Sequence, residues 1–231
     1  MEAFGGMVVV IIAMVVLFAV IITVAAVAGG RRLRERRDGF RQLAAGHGWQ
    51  FIERDDSYAH RWQGRPFVRN GRSTNILIGA FRGRNFCAFD YRYTTTSTSG
   101  DNTTTHTHTF AVFVMALPTS VPTLTVGAEG IFGGKVAEAF GFARVNIPDE
   151  DFNNRFKVKC DDPAFGAAVL HPALVQMLKV TGPWDWRLTG ADMISHQAGV
   201  FEPATVLPRL QLMSDVLDRI PNVVWQGPPP A

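Results

Sequence analysis

From Met7 to Ala28 the chain reads "MVVVIIAMVVLFAVIITVAAVA", and Thr23 is its only side chain that is not apolar. No other feature restricts the fold so strongly. Twenty-two residues at a helical rise of about 1.5 Å span roughly 33 Å, enough to cross the hydrocarbon of a bilayer. The run is rich in β-branched residues, but in lipid a single segment satisfies its backbone only as a helix. A cleavable secretory signal has a positive region before a shorter apolar stretch. Here "MEAFGG" carries only Glu2, and the arginines come afterwards. The expectation is a transmembrane anchor over 1–30.

Six arginines (Arg31, Arg32, Arg34, Arg36, Arg37, Arg41) stand against Glu35 and Asp38 in residues 31–41. Positive side chains beside a span stay cytoplasmic, so the N-terminus is expected outside and the rest of the chain in the cytoplasm, at the plasma membrane. Arg31, Arg32, Arg34, Arg36 and Arg37 are the expected contacts with the membrane surface, where anionic headgroups attract basic side chains. After residue 41 the 17 basic and 17 acidic side chains cancel. The formal charge of +3 therefore reports this one cluster and not a nucleic-acid-binding face.

Residues 31–48 continue as a basic juxtamembrane helix, ended by Gly46 or Gly48. Residues 49–134 form an antiparallel, β-rich part. Trp49 and Phe51 share a face of the first strand, and two further strands meet near "RGRN". On the second of them Phe86, Ala88, Asp90 and Arg92 take one face, and Cys87, Phe89, Tyr91 and Tyr93 the other. Tyr93 is expected to end that strand, "STSGDN" to turn, and His106 to begin the return, which Pro118 ends. "PTLTVGAEG" is a separate short strand.

Residues 135–222 form an α/β part. A strand with Phe156, Val158 and Cys160 inward precedes Asp162, a natural helix cap with Pro163 at the first helical position. His171 before Pro172 divides two short helices. "WDWRLTG" and "DMISHQAGVF" pair as a hairpin. A final helix, roughly 204–220, sets Val206, Leu210, Met213, Leu217 and Ile220 on one stripe, with Pro208 in its first turn. Residues 223–231 are a tail. The fold class is α+β: an N-terminal transmembrane helix, then an antiparallel sheet with C-terminal helices.

Chemistry-bearing patterns are sparse. No GxSxG elbow, HExxH or phosphate-binding GxxxxGK[ST] occurs. His106 and His108 share a strand face, but a structural zinc needs four ligands and the other histidines are scattered. Two cysteines, Cys87 and Cys160, make no framework and read as small buried hydrophobes. No catalytic, metal or cofactor residue is expected. The over-polar turn "DEDFNNRF" joins the two halves, and Asp149, Glu150, Asp151, Asn153 and Asn154 are its candidate partner surface. The competing reading has Phe152 and Phe156 stapling the turn to the core while Asn153 and Asn154 cap it.

Taken together, "GRSTNILIGAFRGRNFCAFDYRYTTT", "HTFAVFVMALP", "DEDFNNRFKVKCDDPAFGAAVLHPALVQML" and the closing "LDRIPN" resemble a family of uncharacterised, membrane-anchored proteins of actinobacteria, related to a wider bacterial domain of unknown function. The resemblance spans roughly residues 31–225 and implies one N-terminal anchor with a cytoplasmic α+β domain. It brings no catalytic residues. The expected function is a non-enzymatic, membrane-tethered accessory, scaffold or regulatory subunit of a plasma-membrane or envelope-assembly complex. Its partners are the bilayer and other membrane proteins, with no nucleic acid. The alternative is a tethered lipid-binding or small-molecule-binding domain.

Overall fold

In the computed structural model the apolar run and the arginines after it lie on one helix, α1 (Glu2–His47). The structure describes residues 2–100, 102–128, 143–144 and 147–226, and many side chains of residues 2–28 fall outside that description. Among the described residues no single helix is long and apolar enough to cross a membrane. The anchor expected at 1–30 rests largely on side chains outside the described set. Those that are described, including Met14, Leu17, Phe18 and Ile22, are exposed. The helix stops where glycine permits. Gly48 takes φ +67°, and the Trp49 N–H donates back to the Ala44 carbonyl at 2.8 Å, the bond that closes a glycine-ended helix.

One antiparallel sheet follows. Its strands are β1 (Gln50–Arg54), β2 (Arg72–Phe81), β3 (Arg84–Ser99), β4 (Asn102–Ala128), β5 (Ala143–Arg144), β6 (Phe156–Cys160) and β7 (Trp186–Ala198). They lie in the order β1-β2-β3-β4-β6-β5, with β7 also paired to β4. Both halves of the chain therefore build a single sheet. The helices are α2 (Glu150–Arg155), α3 (Pro163–Val169), α4 (Pro172–Thr181) and α5 (Pro203–Arg219). α3 and α4 meet at 69° around His171, and Val169, Leu174, Val175 and Leu178 bury them in the core.

Three expectations are corrected. The β3–β4 hairpin does not turn after Tyr93, because the ladder runs on to Ser99 opposite Asn102. Threonine suits an extended strand, so the threonine run is strand and Gly100, at φ +59°, lies beyond its end. Pro118 does not end β4. It and Pro122 flank a stretch where the pairing with β7 slips on either side of Val121, and a proline is tolerated where no ladder bond is lost. Pro208 is the sixth residue of α5, beyond its first turn.

The hairpin expected over 184–201 takes another form. β7 is one strand whose ladder partners are all on β4. A straight strand of 13 residues measures about 40 Å, yet the His196 N–H donates to the Asp185 carbonyl at 3.3 Å. β7 is therefore folded back on itself, and Gly190, at φ +54°, faces Val121 at the fold.

Each face of the sheet has its own core. Phe86, Ala88, Phe113, Met115, Trp186 and Leu188 face the helices and join Phe40 of α1 and the Val206–Leu210–Met213–Leu217 stripe of α5. Ile76, Cys87, Phe89, Tyr91, Val112 and Ile194 face the other way, covered by Ala59 and Phe67 of the β1–β2 connection. That connection is held at several points, among them the Trp62 indole N–H, which donates to Asp192 at 2.8 Å. The Tyr91 hydroxyl accepts from the Val68 N–H at 2.6 Å, and Arg187 donates to the Gln63 and Arg65 carbonyls at 2.5 and 2.9 Å.

Trp49 seals the end of α1 by lying across Gly79 and meeting Phe86 edge-on at 4.7 Å. A Cβ on Gly79 would collide with the Trp49 ring. Gly79→Ala is expected to expel the indole and cost about 1–3 kcal/mol, as overpacking does. Thermal melts and a red shift of tryptophan emission check this.

Candidate functional site

The junction of α1 with the sheet centres on one carboxylate. Period two puts Asp90 on the helix-facing side of β3, in line with Phe86 and Ala88, and it is 4% exposed. Its Oδ2 accepts from Arg36 of α1 at 2.7 Å and from the Asn75 side chain at 2.7 Å. Its Oδ1 accepts from the Phe201 N–H at 3.1 Å, just before α5. Asn75 reaches it from a slip in the β2–β3 register between Thr74 and Leu77, at φ +51°, a conformation asparagine tolerates better than most residues. Helix, two strands and the α5 lead-in thus converge on a fully satisfied buried charge. One turn on, Phe40 stacks on Phe201 at 4.6 Å, and α1 passes close to Pro203 at Gly39.

The five arginines expected at the membrane surface divide. Arg36 points into the domain. Arg37 pairs with Glu53 of β1 at 3.2 Å, and Arg41 reaches the same carboxylate. Arg31, Arg32 and Arg34 are exposed.

In the 149–154 turn, Asp149 caps α2 through the Phe152 N–H at 2.9 Å. Lys179 bridges Asp149 and Asp151, each at 3.0 Å, and the Phe152 cap, followed by the Lys179 ammonium, holds the Asp149 carboxyl below the usual range. Asn153 clasps the Ile147 backbone, donating at 2.5 Å and accepting at 3.2 Å. Phe152 and Phe156 stack at 4.5 Å inside the core. The stapled-turn reading is therefore realised for Phe152, Phe156 and Asn153, while Glu150, Asp151 and Asn154 stay exposed.

His108 stacks on Tyr93 at 4.7 Å and meets the Thr95 hydroxyl at 2.9 Å. His106 stands opposite Thr95. Among the described residues no group of three or more His, Cys, Asp or Glu side chains is placed to hold a metal ion. Burial pushes the Cys87 thiol up to about 12.

The fold in β7 makes a second polar cluster that the sequence did not announce. Asp185 and His196 come within 3.8 Å, too far for a hydrogen bond. Among the described residues the buried Trp184 and Trp186 indole N–H groups, Ser195 Oγ and His196 Nε2 make no hydrogen bond. Burial, with the nearby Arg187, Arg65 and Arg209, pushes the His196 imidazole down to about 4. Burial raises the Asp185 carboxyl and lowers Arg187 to about 10. This is not a nucleophile–base pair, because Ser195 faces the opposite side of the strand from His196. Nearby, the connection carries a surface hollow of about 220 Å³ lined by Ala59, His60, Trp62, Gln63, Phe67 and Arg69 among others. Ligand pockets usually hold about 300–1,000 Å³.

No family model matches the chain, and no curated protein matches it. Among solved structures, the crystal structure of the mycobacterial trehalose monomycolate transport factor A, TtfA, is similar. It matches with a TM-score of 0.56 at 12% identity, over 81% of this chain and 95% of that one. At such identity the likeness shows the fold.

Two outcomes follow from the site. Asp90→Asn strands the Arg36 guanidinium, whose side chain is only 15% exposed. Breaking such a pair costs about 3–5 kcal/mol, and the double variant with Arg36→Gln should cost clearly less than the sum of the singles. Denaturant melts with hydrogen exchange of residues 36–44 measure both effects.

The second concerns pH. The folded chain refuses the His196 proton down to about 4, whereas the unfolded chain takes it near 6.5. The resulting stability is full above pH 6.5 and is lost as pH falls from 6.5 toward 4, on the order of 3 kcal/mol in all. His196→Leu should flatten that limb relative to the parent in melts across the window.

Proposed function

We propose that the chain is a membrane-tethered, non-enzymatic accessory subunit of bacterial envelope-assembly or export machinery. In this reading α1 crosses the plasma membrane through Met7–Ala28, and the α+β domain stands at the cytoplasmic face beside other membrane proteins. The observation that carries it is the division of α1. Its last turns are part of the domain core through Arg36–Asp90 and Phe40–Phe201, while its upstream apolar side chains that are described lie exposed. A tether of this kind raises the local concentration of a domain near membrane partners without any new contact.

The likeness to a protein named as a transport factor for trehalose monomycolate supports an envelope setting. The exposed Glu150, Asp151 and Asn154 of the α2 turn remain the candidate partner surface, and Asp149 and Asn153 hold that turn in shape.

A reporter fused after Ala231 is expected to be active only when the reporter works in the cytosol. A periplasm-active alkaline phosphatase fusion sinks the orientation. Glutamine at Arg31, Arg32 and Arg34, which spares the ion-paired Arg36 and Arg37, should mix the two topologies, because the orientation bias rests on charge beside the span.

A further inference from the structure

Arg72 of β2 and Arg92 of β3 are direct cross-strand partners. Like charges placed opposite one another in a sheet destabilise it, so this pair asks for a reason. Arg92 lies two residues past Asp90 on the same, helix-facing side of β3, and both arginines are exposed. The carboxylates around them are committed. Asp90 serves Arg36, Asn75 and the Phe201 N–H. Glu53 serves Arg37 and Arg41. Asp56 holds Arg54 and the Ser73 N–H and feels Arg72 only at longer range. Glu35 of α1 is exposed.

The helix brings a third arginine to the same level. α1 runs along the strands from Asp90 toward Phe86, because Arg36 meets Asp90, Phe40 meets Phe51, and the terminal Trp49 covers Gly79 and Phe86. One turn back from Arg36, at Arg32, the helix has moved about 6 Å. Two residues on from Asp90, at Arg92, the strand has moved about 7 Å in the same direction. Arg32 is also only four residues, about 6 Å, from the end of the apolar run at Ala28. The polar headgroup layer is about 5–8 Å deep on each side of the hydrocarbon. Arg32, Arg72 and Arg92 therefore stand at headgroup depth when Met7–Ala28 is in the bilayer.

We propose that Arg32, Arg72 and Arg92 form a ledge that grips the phosphate of anionic phospholipid headgroups, and that this second contact fixes the tilt of the domain on the membrane. The proposal rests on the anchor reading above. Guanidinium forks suit phosphate, and a bound phosphate relieves the repulsion between Arg72 and Arg92. Past the ledge β3 and β4 continue as an exposed polar ribbon, Thr94–Ser99 against Asn102–Thr107, which hydrocarbon excludes. The ribbon and the described α1 side chains from Met14 to Ile22 are all exposed, so neither covers the other.

The test uses the full chain in phosphatidylcholine vesicles with and without phosphatidylglycerol. A fluorophore on Asn70→Cys, beside Arg72, reports energy transfer to a headgroup-labelled lipid. The buried native cysteines stay unlabelled. Phosphatidylglycerol should raise transfer in the parent, and added salt should reverse the rise. In Arg72→Gln/Arg92→Gln the docked-to-undocked ratio should fall about 25-fold, at about fivefold per arginine. That variant should melt no lower than the parent, since a like-charge pair is gone. A rise that persists in the double variant but vanishes in Arg31→Gln/Arg34→Gln overturns the ledge. A rise produced by inorganic phosphate with phosphatidylcholine alone overturns it as well, in favour of a free anion. Extraction of the parent by alkaline carbonate rejects the anchor itself, a failure distinct from the other two.

Discussion

The ion pair between Arg36 and the buried Asp90 fixes how everything else is placed. A carboxylate in a core is costly unless its charge is matched and its lone pairs are filled. Here Arg36, Asn75 and the Phe201 N–H fill them together. Those donors belong to α1, to β2 and to the lead-in of α5. No two of these elements can shift against each other without leaving a donor or the acceptor bare, and the energy of doing so is several times that of an exposed pair. The junction is stiff because it is polar, while the apolar contacts around it supply the bulk of the burial.

What could be read from residues alone follows from the range of each interaction. The alternation that separates Phe86, Ala88 and Asp90 from Cys87, Phe89 and Tyr91 is a local property of an extended chain, and the two cores keep that division. The Asp162–Pro163 cap and the Val206–Leu217 stripe are local in the same sense. The partner of Asp90 lies 54 residues away, and nothing in "RRLRERRDGF" distinguishes Arg36 from its neighbours. The sign that was available is a single carboxylate in the middle of an apolar strand face, which demands a cation from somewhere. Arg72 and Arg92 are equally mute as sequence, since only the register makes them neighbours.

The fold in β7 was hidden for a different reason. Alternation in "WDWRLTGADMISHQAGVF" changes phase at Gly190, with Trp184, Trp186 and Leu188 on even positions before it and Met193 on an odd one after it, so the pattern describes two arms and cannot say that both pair with β4. The decision belongs to β4, whose Pro118 and Pro122 loosen the ladder at the same level. The bend then brings Asp185, Arg187 and His196 together in a buried pocket of charge. Desolvation resolves the conflict by keeping His196 neutral and by raising the Asp185 carboxyl. That outcome depends on burial created by the fold, which no local pattern encodes.

The arginine-rich stretch poses a registry problem that the aromatic slot solves. Arg32 and Arg36 are one helical turn apart, so a helix slipped by a turn still offers a guanidinium to Asp90. Electrostatics alone leaves the two registers close in energy. Slippage in that direction, however, carries Arg36 into the place of Phe40, between Phe51 and Phe201, and buries a charge with no carboxylate to meet it. It also moves Gly39 from its close approach to Pro203, where a Cβ would lie 3.0 Å from the ring, and brings Glu35 there instead. The aromatic slot selects the register, and the ion pair then locks it. The position of the domain along α1 is thereby set to within a turn of helix.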